Sequence, residues 1–63
     1  MNQQQRDELA ELFYRSLHLE REAVRAAEQR PIDIYALQVA IDNAHTAQRE
    51  FWAVLYGIHV ENR

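Results

Sequence analysis

The segment Glu28-Gln29-Arg30-Pro31-Ile32-Asp33-Ile34 contains the one proline of the chain and decides its architecture. Pro31 disfavours helical geometry at Arg30, and Asp33 then offers a side-chain oxygen to cap a new helix. Outward from this break, residues 3–29 and 34–56 contain neither glycine nor proline, and both stretches read as long amphipathic helices. A connection of about four residues obliges neighbouring helices to lie antiparallel. The predicted fold is all-α, an antiparallel helical hairpin in one domain. Its first helix covers about residues 3–29, its turn 30–33, its second helix about 34–57 and its short tail 58–63.

The outer ends carry their own signals. Asn2 followed by Gln5 fits a capping box, with Asp7 and Glu8 beyond it where a helix N-terminus favours negative charge. At the far end Gly57, the only glycine, is expected just past the C-cap, with Ile58 supplying the hydrophobic contact that accompanies such a stop. The tail that follows is short and polar, and should fray.

Composition narrows the function classes. A chain of 63 residues has one small core, and below about 70–80 residues such a core rarely supplies more than about 3–5 kcal/mol without disulfides, metal or oligomerisation. There is no cysteine, which removes disulfides and thiolate metal sites and leaves oligomerisation as the ordinary solution. The seven cations are all Arg, scattered among ten acids. Such a surface does not hold a phosphate backbone by bulk electrostatics, so non-specific DNA binding is not expected. The longest apolar run, Phe51 to Tyr56, is too short to cross a bilayer, and the Asn2-Gln3-Gln4-Gln5 start has no signal-peptide character. The expectation is a cytoplasmic protein without membrane association. The absence of Lys fits a GC-rich bacterial or phage genome.

Spacing predicts which faces meet. In the second helix Ile34, Leu37, Ile41, Ala44, Gln48, Phe51, Leu55 and Ile58 recur at alternating intervals of three and four. Leu9, Phe13, Ser16, Glu20, Ala23 and Ala27 answer in the first. Folded about the turn, they pair as Ala27 with Leu37, Ala23 with Ile41, Glu20 with Ala44, Ser16 with Gln48, Phe13 with Phe51 and Leu9 with Leu55. Neither seam exhausts its helix. Leu12, Leu19, Ala26, Leu17 and Val24 widen the first apolar arc, and Ala40, Ala47, Val54 and Trp52 the second, to about half the cylinder where a surface helix needs a stripe of a little over 100°. One hairpin cannot cover this, whereas a homodimer forming a four-helix bundle can.

Ser16, Glu20, His45 and Gln48 fall in or beside the middle of the seam. A carboxylate there must be paired, protonated or wetted. The expected arrangement is a central polar layer, with Gln48 bonding Ser16, Glu20 meeting His45, and the mirrored layer of a dimer completing the network and fixing its register. The competing arrangement lets Glu20 and His45 reach solvent along the bundle edge. A metal reading of Asp42, His45 and Glu20 borrows the carboxylate-x-x-His spacing of di-iron bundles. The helical phase turns Asp42 toward solvent, however, and neither a metal nor any other cofactor is expected. Ser16 and Thr46 are the hydroxyl nucleophile candidates, and so small a bundle leaves no cleft in which a base and an oxyanion site could converge on either. Tyr14, Tyr35 and Tyr56 read as packing or rim residues. The chain is read as non-enzymatic.

Recognition remains. Tyr35 and Val39, with Thr46 and Ala53, form a weakly apolar stripe away from the seam, and Tyr14 lies on the outer flank of the first helix. Tyr14, Tyr35 and Val39 are the candidate partner surface, since aromatics are enriched at binding sites. The leading expectation is a small dimeric adaptor or regulator that masks a surface on a partner protein. In architecture the chain resembles the Rop family of plasmid copy-number proteins, dimers of helical hairpins, with no motif matched residue by residue. That resemblance implies binding of paired RNA loops through an aromatic and basic face. Tyr14, Arg15, Arg21 and Arg25 could imitate it, although Glu11, Glu22 and Glu28 interleave them. A third reading is a labile antitoxin or inhibitor that folds on its target.

Overall fold

The computed structural model describes residues 1–61, and the last two positions of the expected tail, Asn62 and Arg63, lie outside the described residues. Two helices, α1 (Gln3–Glu28) and α2 (Ile34–Glu61), pack against each other as a hairpin.

Each terminus has a side-chain reason. Asn2 Oδ1 accepts from the Gln5 backbone N–H at 2.8 Å, while Gln5 Oε1 accepts from the Asn2 N–H at 3.0 Å, a complete capping box. Asp7 stands beyond the first turn of α1, which holds no acidic residue, and accepts from the Gln3 side-chain amide at 2.8 Å. α1 ends without a glycine: Gln29 turns extended at φ −63° and ψ 142°. The Arg30 guanidinium then donates to the carbonyls of Ala27 at 3.1 Å and Gln29 at 2.9 Å. Carbonyls that the helix leaves orphaned are thereby satisfied. α2 starts on Asp33, whose carboxylate accepts from the Ala36 N–H at 3.1 Å and whose carbonyl accepts from the Leu37 N–H at 3.0 Å.

The far end of α2 corrects the sequence reading. Gly57 does not close the helix, which passes through it with negative φ and continues to Glu61. Residues 58–61 are therefore helix and not tail. Ile58 is buried on the inner face, and Gln5 donates to Glu61 at 3.4 Å across the open end, so tertiary packing extends the helix past its weakest former.

The seam is also displaced. Its centre follows Leu9, Leu12, Ser16, Leu19, Ala23 and Ala26 on α1 and Leu37, Ala40, Ala44, Ala47, Phe51, Val54 and Ile58 on α2, all buried or half-buried. Leu9, Ser16, Ala23, Leu37, Ala44, Phe51 and Ile58 belong to both the expected and the observed seam, and Leu55, also expected there, is half-buried as well. Phe13, Ala27, Ile34, Ile41 and Trp52, expected in the core, are exposed instead. Exchanging alternate positions for their neighbours turns each helix by roughly 50° at 100° per residue. Small residues, Ser16, Ala23, Ala40, Ala44 and Ala47, occupy the turned seam, while the larger Phe13, Ile41 and Trp52 stand exposed beside it. One expected layer survives in part, with Phe13 and Phe51 ring centroids 5.6 Å apart.

The Cα trace extends 49 × 17 × 10 Å along its principal axes, two helices side by side in a single layer. Domains are ordinarily built from two packed layers, and this hairpin is one. Its accessible surface is 5194 Å², whereas a folded monomer of 7.5 kDa exposes about 4,250 Å². The excess, about 950 Å², is close to the roughly 800 Å² that each partner buries in a standard protein interface. Among the described residues no large side chain is fully buried.

Candidate interaction surfaces

A one-layer hairpin has two broad sides, and they differ in chemistry. The first is apolar with a polar middle. Phe13, Val24, Ile41 and Trp52 stand there 48, 55, 38 and 61% exposed. Val24 and Ile41 line a groove with Glu20, Ala23, Ala44, His45 and Gln48, nearer the turn. Toward the open end Phe13 meets Phe51, and Phe51 meets Trp52 edge-on at 5.6 Å between ring centroids. Thus aromatic, polar and aliphatic levels succeed one another along this side.

The polar level forms with partners other than those expected. Gln48 Nε2 donates to Glu20 Oε1 across the helices at 2.7 Å, in place of the anticipated bond between Gln48 and Ser16. Glu20 is half-buried, His45 and Gln48 are exposed, and Ser16 alone of the four is buried, in the seam itself. The turn of the helices explains the exchange: it carries Ser16 inward and leaves Glu20, His45 and Gln48 on the groove. Among the described residues no three His, Cys, Asp or Glu side chains converge as a metal-binding group, and Asp42 is exposed.

The second side is lined differently. Tyr35 and Val39 line a shallow groove there with Leu19, Glu22, Ala36, Ala40 and Asn43. Tyr35 is 76% exposed. Further toward the open end Arg15 reaches Glu50 at 3.7 Å, bridging the helices. Tyr14 is exposed on the outer flank of α1 and does not join this groove. At 1.5 Å rise per residue it lies about 20 Å along the axis from Tyr35. The three candidate partner residues are therefore one groove pair and one separate aromatic. Of the arginines that could contact RNA, Arg15 is paired with Glu50 and Arg25 with Glu22 at 2.9 Å.

Two features escape a reading of the sequence: the Arg30 cap of α1 and the Glu20–Gln48 bridge. The first had a signal in a cation placed just past a helix end, where it meets orphaned carbonyls. The second depends on how far the helices turn about their axes, which spacing leaves open.

No helix among the described residues is long and apolar enough to cross a membrane. Comparison of the chain with protein-family models, with curated proteins and with solved structures finds no match.

Proposed function

We propose that the protein is a non-enzymatic adaptor or regulator of the cytoplasm, acting as a dimer of hairpins in a four-helix bundle and masking a surface on a partner protein. The observation that carries this reading is the one-layer body with an apolar side uncovered. An uncovered apolar side of this size marks an interaction site, and doubling the layer is the ordinary way for a short chain to complete a core. With that side taken by a second copy, the groove at Tyr35 and Val39 remains for the partner, its exposed aromatic and neighbouring aliphatic suiting protein recognition.

The test is affinity capture from host lysate, with protein and RNA quantified in the same eluate, using the wild type and Tyr35→Glu and Val39→Glu variants. A stoichiometric protein partner, lost in both variants while helicity is retained, is the expected result. Structured RNA enriched without such a partner would replace this reading with the RNA-binding one. Collapse of the fold in the variants would show that the groove is structural.

A further inference from the structure

The apolar side presents three levels in order from the turn: Val24 with Ile41, then Glu20 with His45 and Gln48, then Phe13 with Trp52. Two hairpins can stack on this side about a two-fold axis in two ways, and the levels meet differently in each. With the axis along the hairpins, both turns lie at the same end and α1 of one copy crosses to α2 of the other at the same level. With the axis across the hairpins, the turns lie at opposite ends and α1 faces α1.

We propose that this side binds a second copy of the chain with both turns at the same end. The inference rests on the self-association reading above and supplies its face and orientation. In that arrangement Phe13 meets the second copy's Trp52, Val24 meets its Ile41, and Glu20 meets its His45 and Gln48, each pairing occurring twice. Aromatic rings gain aromatic neighbours, and the Glu20 carboxylate, which accepts one bond from Gln48 in its own chain, gains further donors when water is removed. Opposed turns instead bring each Glu20 toward Leu17 and Glu20 of the other copy. Two carboxylates are then desolvated near each other without new donors, and the two His45 side chains are left facing each other. Opposed turns would match large Phe13 to smaller Val24 and even out the thickness of the bundle. Side chains and helix spacing can adjust to uneven thickness, whereas a buried carboxylate short of donors has no comparable relief. The hairpin exposes about 950 Å² more than a compact monomer of its mass, on the scale of one partner's share of a standard interface.

The absence of cysteine allows one nitroxide label to be placed at Gln4→Cys, on an exposed position near the open end. Electron–electron distance measurement on the full chain, with sedimentation under the same conditions, reads both association and orientation. The expected result is a dimer with labels under about 25 Å apart, the diagonal of a four-helix bundle plus the label arms. A dimer with labels about 40 Å apart, the separation that 1.5 Å per residue gives for opposed turns, would overturn the orientation and leave the self-association reading standing. A monomer at tens of micromolar would overturn both. Trp52→Glu, at a side chain exposed in the single hairpin, should yield a helical monomer. A dimer retained by that variant would show that another face is used.

Discussion

Replacing Gly57 by Ala tests the end of α2 by the sign of its effect. The helix runs through Gly57 with negative φ, and a Cβ built there meets no heavy atom within 4 Å. Alanine therefore fits without strain and narrows the unfolded ensemble. The difference between Gly and Ala in a helix interior is about 0.8–1.0 kcal/mol, and fraying near the last turn reduces it to about 0.5 kcal/mol at the lower limit. For a chain of this size that corresponds to a rise in Tm of roughly 2–8 °C. The assay is thermal and urea unfolding followed by helical circular dichroism. Protein concentration must be equal for both variants, because any self-association makes the midpoint concentration-dependent. Had Gly57 been a left-handed residue closing the helix, the same substitution would cost about 1–2 kcal/mol and lower Tm. A destabilised Gly57→Ala protein would refute the continuous helix to Glu61 and restore the stop at Gly57.

Two further substitutions probe the determinants of the hairpin. Asn2→Ala removes one half of the capping box and should destabilise by about 1 kcal/mol, while Asn2→Gly should cost only a few tenths, measured as shifts of the urea midpoint. Ala47 is 3% exposed in the seam, so Ala47→Leu overpacks it and should cost about 1–3 kcal/mol, read from the same unfolding curves. A neutral Ala47→Leu would place the helix contact elsewhere.

Local signals in the chain account for the hairpin itself. Pro31 and Asp33 mark the turn, Asn2 and Gln5 start α1, and long stretches without glycine or proline make two helices unavoidable, because each of these effects acts within one or two helical turns. The width of the apolar arcs likewise anticipated surface beyond what one hairpin covers, and the structure shows that surface on the side of Phe13, Val24, Ile41 and Trp52.

Tertiary structure decided the rest. A heptad pattern with a wide apolar arc allows several rotations of a helix about its axis, and spacing alone does not choose among them. In the packed pair the small Ser16, Ala23, Ala44 and Ala47 fill the seam, and Phe13, Ile41 and Trp52 stand on the surface. The same turn separated Ser16 from Gln48 and gave Gln48 to Glu20. At Gly57 a weak helix former met a buried Ile58 one residue on, and packing outweighed a propensity difference of about 1 kcal/mol. What the sequence by itself determined were the elements, their ends near the turn and the presence of a spare apolar face. Which side chains fill the seam and which form that face followed from how far each helix turns about its axis against the other, a property of two helices together.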